Sequence, residues 1–157
     1  MSTAQIWQIE STSLDDTLKL AERVGRKMRG GEVIELVSDL GGGKTAFVRG
    51  LATGMGSKDI VRSPSFTLSN EYRAGGLTLY HFDFYRLNEP GIMRDELAEV
   101  LDDPKAVIAV EWADIVEDVL PDKRLTIHIK ATGETRRQCT LSYPPKLSYI
   151  RPLPHNT

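Results

Sequence analysis

The chain has 157 residues, 40% of them hydrophobic and 27% charged, the balance of an ordinary globular protein with room for one domain and a sizeable core. Twenty Lys and Arg against 22 Asp and Glu leave a net charge of −2. That argues against a dedicated nucleic-acid binder with a basic face, while leaving contact with RNA inside a larger complex open.

In chain order, AQIWQIES reads as a first, edge strand. Ser13 then opens a helical pattern, with Leu14, Leu18, Ala21, Val24 and Met28 recurring at three- and four-residue spacing. Ser13 can cap that helix, Asp15 and Asp16 fall in its first turn, and Arg23, Arg26, Lys27 and Arg29 lie towards its end. The charges suit the helix dipole, and Gly30-Gly31 is the expected stop. EVIELV follows as a short buried strand, then a glycine loop, then a second helix with Phe47, Leu51 and Met55 on one face and Gly54 and Gly56 expected to end it. PSFTLSNEYRAGGLTLYHFDFYRL suggests two strands joined at Ala74-Gly75-Gly76. A short helix is expected over 92–101, a buried strand at AVIAVEW, and another short helix from Asp114 to Val119. RLTIHIKAT and RRQCTLSY, joined at Gly133-Glu134, form a last hairpin, so 1–145 reads as one domain and 146–157 as a proline-rich tail of doubtful order. Helices and strands alternate first and hairpins follow, which predicts an α/β sheet with a parallel centre and antiparallel additions.

Cys139 is the lone cysteine and has no internal disulfide partner, so a reducing compartment is expected. MSTAQIWQIE shows no basic stretch before an apolar one, and no apolar run nears the ~20 residues of a membrane helix. A cytoplasmic location is the simplest expectation.

VSDLGGGKT comes close to the phosphate loop G-x-x-x-x-G-K-[ST], and it sits between a strand and a helix, as such a loop requires. Gly41, Gly42 and Gly43 let backbone N–H groups turn towards phosphate oxygens at a helix N-terminus. Lys44 would reach the β- and γ-phosphates, and the Thr45 hydroxyl would ligate Mg²⁺. Ser38 holds the first glycine position, which a strand-end serine of negative φ can fill. A metal on the phosphates needs an acidic partner, and Glu111 ends the apolar strand AVIAV where ligands of open α/β sheets gather. Asp83 is a second carboxylate: alternation in LYHFDFY puts it with Leu79, His81 and Tyr85, opposite Tyr80, Phe82 and Phe84. A structural salt bridge to Arg86 or another arginine is the alternative for Asp83. His81 reads as a packing or hydrogen-bonding residue, Trp112, next to Glu111 and so near the site, as a packing residue rather than a base-stacking platform, and Cys139 as an inert buried thiol. In VRSPSFTL, Ser63, Ser65 and Thr67 surround a proline, so the stretch is either a turn into a strand or a phosphate-sensing switch.

SDLGGGKTAFVRGL, VRSPSFTLSNEY, LYHFDFYRL and VIAVEW occur in the order and at the spacing of the TsaE (YjeE) family, which the chain resembles over roughly residues 10–143. The resemblance implies a three-layer P-loop NTPase-like domain, weak Mg²⁺-dependent ATP hydrolysis and a role in threonylcarbamoyladenosine modification of tRNA. It also implies docking on the TsaB–TsaD protein pair, with tRNA met only through that complex. Carried over by position, Asp39, Leu40, Gly41, Gly42, Gly43, Lys44, Thr45 and Ala46 would bind the nucleotide, Thr45 and Glu111 the metal, and Lys44, Asp83 and Glu111 would act in catalysis. Thr12, within Ser11 to Ser13, and Arg136 correspond to regions near the nucleotide, and Ser65 takes the place of a switch threonine. The chain departs from the family in NEPGIMRDELAEV, where an acidic helix start is usual, and in Gly42, which replaces an alanine. Two other readings share the loop. A small-molecule kinase would need an arginine-rich lid over the phosphates, and no such segment is evident. A non-catalytic, nucleotide-gated adaptor would use the same residues, and no guanine-reading Asn/Thr-Lys-x-Asp segment points to GTP.

Overall fold

The computed structural model describes residues 4–38, 43–59, 61, 69–85 and 91–151 (for Ile92, the backbone alone). The strands are β1 (Gln5–Ser11), β2 (Val33–Ser38), β3 (Ser69–Ala74), β4 (Leu77–Asp83), β5 (Ala106–Glu111), β6 (Leu125–Ala131) and β7 (Arg137–Tyr143). They form one sheet in the order β1-β7-β6-β2-β5-β4-β3. Pairings β6–β2, β2–β5 and β5–β4 are parallel; β1–β7, β7–β6 and β4–β3 are antiparallel. The expected parallel centre with hairpins at both sides is the observed architecture, and β1 is an edge strand. Every residue of β5 is buried, as a central parallel strand covered on both faces must be.

The period-2 alternation of the strands sorts the core into two layers. Ile34, Leu36, Leu79, Val107, Ala109 and Ile127 pack with helices α1 (Leu14–Arg26) and α2 (Lys44–Met55). Val33, Phe82, Phe84, Ile108 and Val110 face the other way, towards Leu97 of α3 (Gly91–Leu101) and the 3₁₀ turn Ala113–Val116. A short 3₁₀ turn therefore stands where a helix over Asp114 to Val119 was expected.

Ser13 caps α1 as expected, its hydroxyl accepting from the Asp16 amide at 3.1 Å. The buried face of α1 runs through Thr17, Leu20, Ala21, Val24 and Gly25; Leu14 is 59% exposed. The expected apolar stripe is therefore rotated at its start, where Thr17 rather than Leu14 is buried. α1 also stops before Gly30-Gly31, with Lys27 as its C-cap. The Glu32 carboxylate takes the amides of Arg29 and Gly30, both at 2.8 Å, and the Tyr149 hydroxyl at 2.6 Å. Leu147 and Ile150, in the 3₁₀ turn Pro145–Ile150, are buried, so this part of the proline-rich tail belongs to the core.

Gly56 ends α2 in the left-handed conformation, φ 96°, but Gly54 does not end it. Gly54 lies inside the helix, where a Cβ would stand 2.0 Å from the Glu22 carbonyl oxygen of α1. Gly25 and Gly50 make similar backbone approaches, so glycine lets the two helices touch main chain to main chain.

Candidate nucleotide-binding site

Three neighbouring parallel strands finish at chemistry-bearing residues: β2 at Ser38, β4 at Asp83 and β5 at Glu111. Strand register sets Asp83 beside Glu111, and Glu111 beside Leu36 of β2. With the period of two, Glu111, His81 and Asp83 project on the face that carries α2. Ser38 has no positive φ, Trp112 being the positive-φ non-glycine among the described residues, so the serine fits the strand end as expected.

α2 begins at Lys44 with Gly43 as N-cap, φ 103° and ψ 17°. No side chain caps it and no acidic residue sits in its first turn, so its leading N–H groups are available to an anion. Gly43→Ala would force a left-handed φ on a residue with Cβ, at a cost of about 1–2 kcal/mol. Urea unfolding checks this; an unchanged midpoint would mean that the backbone at 43 relaxes.

Lys44 turns back from the helix onto the strand ends and is only 7% exposed. Its Nζ donates to the Ser38 carbonyl at 3.2 Å, lies 3.7 Å from Glu111 Oε1, and stands 4.8 Å above the centre of the Trp112 ring. Glu111 is 4% exposed, and its Oε2 meets His81 Nε2 at 2.5 Å. The carboxylate is thus held between a histidine and a lysine, which offsets its desolvation. Asp83 is partly buried, and its Oδ1 accepts from the Tyr85 amide at 3.0 Å. Burial pushes its carboxyl above the usual range; the Tyr85 amide opposes this and the Glu111 charge adds to it. Its acidic proton is therefore held more readily than in a solvated aspartate.

Trp112 has a left-handed backbone, φ 56°, a conformation costing on the order of 1–3 kcal/mol for a residue with Cβ. The residue remains 38% exposed, and its ring covers Lys44 and tilts on Tyr85 with centroids 4.9 Å apart. It is part of the site wall rather than mere packing, a role that its position after Glu111 hinted at.

Two cavities flank the start of α2. One, about 150 Å³, is lined by Leu36, Ser38, Lys44, Trp112 and Asp114 among others. The other, about 250 Å³, lies between the start of α1 and the β6–β7 turn and includes Leu14, Thr17, Gly43, Ala46, Thr135 and Arg137. Arg137 lines this second cavity, whereas Arg136 packs its side chain over Gly133. The Thr12 hydroxyl is engaged with Asp16 at 2.5 Å. Thr45 lies in the first turn of α2 and is partly exposed. Asp39, Leu40, Gly41, Gly42, Ser65 and Arg86 lie outside the described residues. Cys139 is fully buried and its thiol is pushed up to about 11 by burial, in keeping with an inert role.

The family model described as "Threonylcarbamoyl adenosine biosynthesis protein TsaE" matches residues 11–139. The chain belongs to the TsaE family. The "tRNA threonylcarbamoyladenosine biosynthesis protein TsaE" of Bacillus subtilis is 40% identical over 132 residues, covering 82% of this chain and 80% of that protein. The protein of the same name from Treponema pallidum is 37% identical, covering 84% and 97%. A crystal structure of Bacillus subtilis YdiB superposes with a TM-score of 0.74 at 35% identity, over 93% of this chain and 89% of that one. The family is one of tRNA threonylcarbamoyladenosine biosynthesis, and the mixed three-layer α/β fold expected from the resemblance is the fold observed. Among the described residues, no helix is long and apolar enough to cross a membrane.

Proposed function

We propose that the chain is a Mg²⁺-dependent ATP-binding protein with weak ATPase activity. It would serve threonylcarbamoyladenosine modification of tRNA in the cytoplasm as the ATPase component acting on the TsaB–TsaD complex. The observation that carries this reading is Lys44: a nearly buried ammonium at the mouth of an uncapped helix, at the carboxyl ends of parallel strands. Phosphate is the anion such a group and such a helix N-terminus suit.

The residues fit a metal–nucleotide complex. Among the described residues, no cluster of three or more His, Cys, Asp or Glu could hold a metal by itself. Magnesium commonly takes one or two protein oxygens and the substrate's phosphates, and Thr45 and Glu111 are the side chains that would hold it. Bound there, it would neutralise phosphate charge. Lys44 would leave its 3.7 Å pairing with Glu111 for the γ-phosphate, so charge stays balanced as the nucleotide enters. Asp83 or Glu111 would position the attacking water. The cavity beside Leu14 and Arg137 adjoins Gly43 and Ala46, and it offers an apolar wall and a cation to the nucleoside end.

Lys44→Ala tests the reading. Loss of a charge-assisted contact worth about 1.5–3 kcal/mol predicts ATP affinity lowered roughly 10- to 100-fold. Calorimetric titration with a non-hydrolysable ATP analogue measures it, and unchanged affinity would sink the assignment. Turnover should rise when the TsaB–TsaD pair is added. Phosphorylation of a small metabolite instead would turn the reading towards a kinase, and nucleotide binding without turnover towards an adaptor.

A further inference from the structure

The ring of His81 is fully buried, and only one of its nitrogens has a partner. Nε2 lies 2.5 Å from Glu111 Oε2, while Nδ1 is the buried side-chain polar atom left without a hydrogen bond among the described residues. For the neutral ring, two proton placements are compatible with that contact. With the proton on Nε2, the ring donates to an ionised Glu111, which keeps its Lys44 partner, and only an acceptor lone pair goes unsatisfied. With the proton on Nδ1, a buried N–H donor is orphaned, and Glu111 must be protonated to donate to Nε2 beside the Lys44 ammonium. The second placement loses an ion pair and strands a donor, so the first is favoured.

We propose that His81 is a positioning residue for Glu111: its Nε2–H fixes Oε2 and so aims Oε1 at Lys44 and the nucleotide mouth. This rests on the ATPase reading above. Glutamate has three rotatable side-chain bonds, and the other oxygen sits 3.7 Å from a lysine whose own charge pulls on it. Without the histidine, the carboxylate is free to turn away from the place where it would meet the metal. Partners that orient metal-bound carboxylates typically contribute about 10- to 100-fold in metal affinity or activity. β4 supplies both His81 and Asp83, so one strand would set the orientation of one carboxylate and present the other.

The first readout uses the free protein. Long-range ¹H–¹⁵N spectra of the His81 ring should show a protonated Nε2 in a strong hydrogen bond, with the Nε2–H signal moved in Glu111→Gln. A ring protonated on Nδ1 alone would overturn the proposal. The second readout compares His81→Leu, which keeps bulk but no donor, with His81→Gln, whose amide can replace the Nε2–H. Leucine should lower kcat, and raise the Mg²⁺ concentration for half-maximal turnover, by roughly 10- to 100-fold. ATP-analogue affinity in chelator should stay near that of the parent, and glutamine should restore most of kcat. A purely structural role would lower stability in both variants without that split or that rescue. Unchanged turnover in His81→Leu sinks the positioning role alone. A parent protein that neither binds nor hydrolyses ATP sinks the ATPase reading, and the positioning role with it.

Discussion

Glu111→Gln is expected to lower ATP turnover by about 100-fold or more, the typical cost of removing one preorganised electrostatic group, while ATP affinity changes far less. The substitution keeps the shape of the side chain, and its amide oxygen can still accept from His81 Nε2, now 2.5 Å from Oε2. What it removes is the charge opposite Lys44 and the oxygen that would meet the metal. Removing one partner of a sealed ion pair costs about 3–5 kcal/mol. The cost here should be smaller, because Lys44 retains the Ser38 carbonyl and the Trp112 face. Single-turnover kinetics, analogue titration and denaturation of the same variant separate these effects. Equal loss of binding and turnover would mean that Glu111 serves the fold rather than the chemistry.

Gly54→Ala should have the largest effect on stability. In an exposed helix, this exchange is favourable by about 0.8–1.0 kcal/mol. In α2 the new methyl would stand 2.0 Å from the Glu22 carbonyl oxygen and 2.7 Å from its carbon, and these are backbone atoms that cannot rotate away. Relief requires α1 and α2 to separate, which exposes contacts of Leu20, Ala21, Val48 and Leu51 in the shared core. Overpacking of this kind commonly costs about 1–3 kcal/mol, and a rigid backbone neighbour puts it at the upper end. After the propensity gain, a net loss of about 2 kcal/mol is expected, or roughly 4–8 °C in Tm for a chain of this size. A variant as stable as the parent would show that the interhelical contact is looser than 2.0 Å implies. α2 carries Lys44 at its other end, so a shifted helix should also weaken nucleotide binding.

These two sites differ in how far the sequence reveals them. The placement of Lys44 and Thr45 at the start of α2 and of Glu111 at the end of β5 is legible because the signals are local: a glycine loop between a strand and a helix, and a carboxylate at the end of an apolar run. The β3–β4 and β6–β7 hairpins are legible for the same reason, since turn residues and alternation act over a few positions. Gly54 looks like a helix terminator, because glycine breaks isolated helices. Its actual task appears only when α1 lies across it. Leu14 fits the helical stripe yet stays 59% exposed, since periodicity specifies a face but not what packs against it. Arg136 ends the β6–β7 turn and Arg137 opens β7, and only the geometry there decides which lines the cavity.

The sequence alone determined the α/β class, the parallel centre with its hairpins, the phosphate-loop context and the family, because each rests on short-range pattern or on motif order. The tertiary structure decided how the carboxylates and cations meet. His81 and Glu111 are thirty positions apart, and their contact depends on β4 and β5 pairing in parallel with His81 beside Ala109. A shift of that register by one residue would turn His81 to the opposite face and leave Glu111 without its donor. The pairing that sets this register is made by strands distant in sequence, so no local pattern encodes it.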